Sequence, residues 1–145
     1  MANKAPSALE KSQYFTLLGR AKDASLARQA LDLAMTDEPE KTTSPAIVSA
    51  VSVDHDMMAV DYVLAHRQQY EALIDTSARS QALSRLGGRS ADPVMITKLD
   101  GYASQYLTPE SLKVVDRAIA AIKARIVTRA RLKPAILAWI KAHKY

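Results

Sequence analysis

Side chains that bind metals or transfer protons are scattered along this sequence. Its three histidines are His55, His66 and His143. No two of them are four residues apart, and no His-Glu-x-x-His occurs, so the zinc-binding helix of a metallopeptidase is absent from this sequence. There is also no cysteine, which excludes disulfides and thiolate zinc sites. We expect no metal site in these residues.

Acidic and hydroxyl side chains likewise lack the spacing of a reactive centre. Asp54, Asp56 and Asp61 cluster where a helix begins, and there they favour the helix dipole. No serine lies in a Gly-x-Ser-x-Gly elbow. The RLGGRS segment is not preceded by a strand or followed by Gly-Lys-Ser/Thr, as a phosphate-binding loop requires. The chain by itself is therefore predicted to have no catalytic residues.

Three arginines flank the glycine pair at positions 87 and 88. They are Arg79, Arg85 and Arg89. The planar guanidinium of arginine is well shaped to bind a carboxylate, so these side chains are candidates for facing a substrate or an interface. Alternatively, these arginines are solvated or pair with the nearby Asp75 and Asp92.

Positive charge is concentrated at the C-terminus. Residues 117–145 contain eight of the 20 Lys and Arg residues and none of the 15 Asp and Glu residues. A basic face of this kind suits nucleic acid or an acidic partner. Aromatic side chains are few here, only Trp139 and Tyr145, so a base-stacking platform is unsupported and nucleic acid is not the expected partner.

The elements that position these residues are predicted to be helices. Ser7 with Glu10 has capping-box spacing, and Asp23 is predicted to cap the next helix. The helix that begins at Pro93 is opened by either Ser90 or Asp92. The glycines at 87 and 88 suit a left-handed C-cap. A break is expected near residues 131–134, between the long helix that begins at Thr108-Pro109 and a last helix containing Trp139. This gives about eight helices and no strand.

Short turns between successive helices predict an all-α chain built from antiparallel pairs. The fold class that fits best is an α-solenoid of the HEAT type, forming a single helical-repeat domain over residues 1–145. Such a fragment should expose one unmatched apolar face. No apolar run is long enough for a membrane span, and the N-terminus lacks the apolar core of a signal peptide. The compartment stays open between cytoplasm and periplasm.

The order of several segments resembles one family. They are LLGRAKDASLARQALDLAMTDE, SPAIVSAVSVD, MMAVDYVLAHRQQYEALID, SARSQALSRLGGRSADPVMITKLDGYASQY and SLKVVDRAIAAIKARIVTRARLKPAILAWI. Together they resemble the C-terminal HEAT-like domain of zinc aminopeptidases of the aminopeptidase N and puromycin-sensitive aminopeptidase type. The resemblance extends from about Ser7 to Ile140.

The resemblance implies a non-catalytic part of a longer zinc aminopeptidase. The family's zinc helix and its Gly-x-Met-Glu-Asn loop have no counterpart here, so zinc would lie in a catalytic domain of the same polypeptide. This domain would pack on that catalytic domain and gate or position peptide substrates. Arg85, in the Ser84-Arg85-Leu86 triplet, best matches the family's arginine-bearing segment. A stand-alone protein-binding adaptor and a nucleic-acid binder remain the alternatives.

Overall fold

The computed structural model describes residues 7–143, and this part of the chain is helical without strands. The helices are α1 (Ala8–Leu18), α2 (Ala24–Ala34), α3 (Ser44–Asp54), α4 (Asp56–Ala65), α5 (Arg67–Leu73), α6 (Thr76–Arg79), α7 (Ala82–Gly87), α8 (Pro93–Tyr106) and α9 (Pro109–Ala142). The all-α prediction is confirmed. The solenoid arrangement, the antiparallel pairing and the single domain over residues 1–145 stay predictions.

Local chemistry explains where the helices begin. Asp23 accepts hydrogen bonds from the backbone amides of Ser25 at 2.9 Å and Leu26 at 3.1 Å, so it caps α2. Asp92 caps α8 by accepting from the amide of Val94 at 2.9 Å. These bonds satisfy backbone donors that have no partner within the first turn of a helix. Asp23 is the predicted cap of α2, and Asp92 is one of the two candidates, with Ser90, that the sequence offers for α8.

The chain divides into two compact units, residues 1–87 and residues 88–145. In the first unit α3 is central, because it packs against α1, α2, α4 and α7. Its Ile47, Val48 and Val51 are completely buried, as are Leu31 of α2 and Val60 of α4. These side chains form an ordinary aliphatic core.

The second unit consists of α8 packed against the first half of α9. Met95 and Leu99 of α8 are completely buried, together with Ile122 of α9. Arg125 adds a polar connection, because its guanidinium donates to the carbonyl oxygen of Ser90 at 2.6 Å and to that of Gly88 at 3.0 Å. One of the eight C-terminal basic residues therefore stabilises the unit's own loop.

Two local predictions are wrong. The break expected near residues 131–134 does not occur, and α9 continues through Pro134 to Ala142. Proline removes one helical hydrogen bond, and the residues around it are exposed, so water can solvate the carbonyl oxygen that loses its donor. The left-handed cap at Gly87 and Gly88 is also absent, since no described glycine has a positive φ.

Candidate functional site

An apolar groove lies between α1 and α2. It has a volume of about 520 Å³. Its residues, which define the α1–α2 groove, are Leu17, Leu18, Arg20, Ala21, Leu26, Gln29, Ala30 and Leu33. Three of its leucines are unusually open for large apolar side chains, with exposures of 62% for Leu17, 48% for Leu18 and 52% for Leu26.

Gly19 explains why the groove is held at this position. It terminates α1, and its amide donates to the carbonyl oxygens of Leu17 and Thr16. A Cβ atom added there would lie 2.6 Å from the Ile47 carbonyl oxygen and 2.8 Å from the Ala50 Cβ. The end of α1 therefore approaches the backbone of α3 as closely as only glycine permits.

The sequence predicts the helix but not the groove. The three- and four-residue spacing of Leu26, Ala30, Leu31 and Ala34 predicts that they share the buried face of α2. This is wrong for Leu26, which is 52% exposed, and correct for the other three. The buried position is taken by Ala27. Ala27, Ala30 and Ala34 repeat at steps of three and four, and this spacing could have placed the buried face of α2 on the alanine side.

The three predicted arginines occupy different environments. Arg79 is half-buried, and its Nε donates to the backbone carbonyl oxygen of Glu71 at 3.0 Å, which fixes the turn after α5. Arg85 is exposed and donates to the side-chain oxygen of Gln81 at 2.8 Å. Arg89 is exposed and belongs to the second compact unit, whereas the other two belong to the first. Arg79 and Arg85 share a unit, and the role of all three toward a substrate stays a prediction.

A cluster of aromatic and charged groups surrounds Tyr62 on α4. The His66 ring stacks on the tyrosine ring with centroids 4.2 Å apart, and the Arg28 guanidinium lies 4.7 Å from the ring centroid. Burial, followed by the hydrogen bond with Asp32, raises the pKa of Tyr62 to about 12. The phenol is therefore protonated and neutral at physiological pH. This arrangement stabilises the contact between α2 and α4 and does not create a general base.

His66 itself is engaged with the backbone of its own helix. Its Nδ1 lies 2.9 Å from the carbonyl oxygen of Tyr62, so that nitrogen carries the proton. His55 lies between α3 and α4 and contacts the carbonyl oxygen of Ala21 through Nε2 at 3.0 Å. Both histidines lie at helix ends, and both contacts hold turns together.

The far end of α9 is the second exposed apolar surface. Every residue from Val127 to His143 is exposed, and the large apolar side chains include Trp139 at 62% and Ile136 at 53%. The side chains of α9 that are buried, Val115 and Ile122, both lie in the first half of the helix.

Metal and membrane chemistry add no further site in the part of the chain that the structure describes. Residues 7–143 contain no group of three or more His, Cys, Asp or Glu side chains placed to hold a metal ion. None of the described helices is long and apolar enough to cross a bilayer.

Comparisons of the chain with protein-family profiles, with curated proteins and with solved structures found no match. The candidate site is therefore defined by its own geometry, as an interaction surface centred on the α1–α2 groove.

Proposed function

We propose that this chain is a non-catalytic helical domain of a zinc aminopeptidase, and that it packs on the rest of that polypeptide through the α1–α2 groove. The observation that carries the proposal is the groove itself, because open leucines on the first two helices suit a surface onto which further structure stacks. The ordered resemblance of the sequence segments supplies the identity of the neighbour.

The energetics of covering the groove support an interdomain contact. Complete burial of a leucine contributes about 1.5–3 kcal/mol, and Leu17, Leu18 and Leu26 still expose about half of their surface. Covering them adds roughly 1 kcal/mol each, or about 3 kcal/mol together. Interfaces between domains of one chain are typically about 600–1,500 Å². The groove would therefore form the apolar centre of a larger and more polar contact.

In this proposal the domain limits and positions peptide substrates, and the chemistry belongs to a zinc-containing catalytic domain. Arg85 and Arg89 are exposed and would contact carboxylate groups of a long peptide. Arg79 is the least able of the three to bind a substrate, because its Nε already donates a hydrogen bond to a backbone carbonyl oxygen. We therefore assign substrate contact to Arg85 and Arg89 and a structural role to Arg79.

The reading frame of the gene provides the most direct test. We expect codons for a His-Glu-x-x-His helix upstream of Met1 in the same frame. An in-frame stop codon just before Met1 would contradict the proposal and favour the stand-alone adaptor.

An activity assay tests the non-catalytic assignment. The purified chain should release no product from an aminoacyl-anilide in the presence of zinc, and release of product would contradict that assignment.

The groove is tested in the full polypeptide that this frame encodes. Replacing Leu17 and Leu26 with glutamate should lower the thermal midpoint, because a covered carboxylate must lose its hydration. The matched control is Val53→Glu, an exposed apolar position on α3 outside the groove lining. Equal midpoints for the groove variant and the control would show that the groove is not covered.

The arginines are tested by comparing substrates of different length. In the full enzyme, Arg85→Gln with Arg89→Gln should raise KM for a long peptide and leave KM for an aminoacyl-anilide unchanged, because the anilide is too short to reach a distant contact. An equal effect on both substrates would contradict a role in positioning the distal part of the peptide.

A further inference from the structure

The outer part of α9, residues 127–142, consists entirely of exposed residues. We call these residues the α9 tip. The first half of the helix is anchored, because Ile122 is buried and Arg125 donates to two carbonyl oxygens of the loop before α8. Within the tip, the Trp139 ring stacks on that of His143 with centroids 4.4 Å apart, and this contact joins neighbouring turns of one helix. Most helices in proteins are stabilised by tertiary packing, so the tip depends on local interactions instead.

Pro134 lies inside the tip and opposes the continuation of the helix. Its nitrogen carries no proton, so the carbonyl oxygen of Ala130 has no helical donor, and the proline ring crowds that carbonyl group. The preceding residue, Lys133, is also disfavoured in the helical conformation. A proline in a helix interior lowers the helix–coil equilibrium constant by about 100-fold.

The helix beyond Pro134 is too short to offset this cost. Only eight helical residues follow the proline, Ala135–Ala142. A residue that extends an existing helix multiplies the equilibrium constant by about 1.3, so eight residues contribute about 8-fold. The stacked pair of Trp139 and His143 adds about 2-fold, as other side-chain pairs at a spacing of four do. The product, about 16-fold, is smaller than the loss of about 100-fold at the proline.

We propose that the α9 tip is an order–disorder segment, in which the residues beyond Pro134 unfold and refold independently of the anchored half of α9. The structure shows the ordered form, in which Ile136, Trp139 and Ile140 are exposed on the helix. Whatever binds only this form shifts the population toward it, so the helix beyond Pro134 becomes stable when its apolar side chains are covered. Ordering of a segment is one of the common ways in which proteins switch. The switch does not depend on the function proposed above.

Amide hydrogen exchange in the whole chain, resolved by NMR at fixed pH, tests where the stable helix ends. Amides of residues 136–142 should exchange within about 10-fold of the rate in an unfolded chain, because the tip opens locally. Amides of residues 118–126 should exchange at least about 100-fold more slowly than in an unfolded chain, because they open only when the packing against α8 is lost. Equal protection on the two sides of Pro134 would overturn the proposal.

Pro134→Ala tests the cause of the opening. The substitution restores an amide donor and removes the crowded ring, so protection of residues 136–140 should rise about 10-fold or more. The matched control is Pro109→Ala, which removes a proline from the first turn of the same helix. A missing amide costs little in that turn, so the control should leave exchange at the tip unchanged.

Two results with these variants would overturn the proposal. Protection at the tip could remain unchanged in Pro134→Ala, or it could rise equally in Pro109→Ala. Exchange of residues 118–126 is measured in the same samples, and parental protection there shows that the anchored half is retained. A rise confined to the residues beyond position 134 in Pro134→Ala is the expected result.

Discussion

Replacing Gly19 with alanine tests the packing that forms the α1–α2 groove. The new Cβ would lie 2.6 Å from the Ile47 carbonyl oxygen, a backbone atom that no rotamer change can move. Gly19 has φ −68° and ψ −9°, so alanine meets no backbone strain there. Overpacking of this kind costs about 1–3 kcal/mol, while the reduced entropy of the unfolded chain returns about 0.5–1 kcal/mol. The difference between the two ranges is about 0–2.5 kcal/mol. Because the 2.6 Å contact is with a backbone atom, we expect the upper part of that range, a net loss of about 1–2.5 kcal/mol.

Gly101 provides the matched control. It lies within α8, and a Cβ atom added there meets nothing within 4 Å. Gly101→Ala should therefore stabilise its unit by about 0.5–1 kcal/mol, since glycine is a poor residue for the interior of a helix. Urea titrations followed by circular dichroism at fixed pH should move the midpoint in opposite directions for the two variants. A Gly19→Ala protein as stable as the parent would refute the close approach of α1 and α3.

Three further predictions use the same urea titrations. Leu31→Ala should cost about 2–5 kcal/mol because Leu31 is completely buried, whereas Leu26→Ala should cost about 1 kcal/mol or less because Leu26 is 52% exposed. Arg125→Met should cost about 1–3 kcal/mol, because two carbonyl oxygens lose a charged donor, and Arg117→Met should cost nothing measurable. Asp23→Ala should destabilise the chain above pH 4, since bonds from Ser25 and the first-turn amides lower the pKa of Asp23. That difference should shrink as the pH falls through the lowered pKa and the carboxylate becomes protonated; a constant difference down to pH 2 would contradict the cap.

The sequence was sufficient for the helices because their signals are local. Asp23 is predicted as a cap and acts as one, and of the two candidates Ser90 and Asp92 it is Asp92 that caps α8. A capping bond joins residues only two or three positions apart, so its signal is local. The sequence predicts a helical stretch from Tyr70 to Leu86 with a break near Thr76, and in the structure α5 ends at Leu73 and α6 begins at Thr76. The predicted break near Pro134 does not occur. Proline tends to end helices, but a helix can continue through it where water solvates the carbonyl oxygen that loses its hydrogen-bond donor.

The interaction surfaces depended on contacts between distant positions. Leu26 and Leu31 are both apolar residues of α2, and their positions on the helix do not reveal that one is open and the other buried. The difference arises from which faces of α2 its neighbours α1, α3 and α4 cover. Likewise, Ile122 and Ile136 both lie in α9, but only Ile122 is buried.

Composition and short-range spacing thus determined the all-helical character of the chain, its caps and the excess of positive charge near its C-terminus. The tertiary structure alone decided which apolar residues are left for a partner. The physical reason is that helix formation and capping depend on residues within about four positions of one another, whereas burial depends on which segments of the chain approach each other in space.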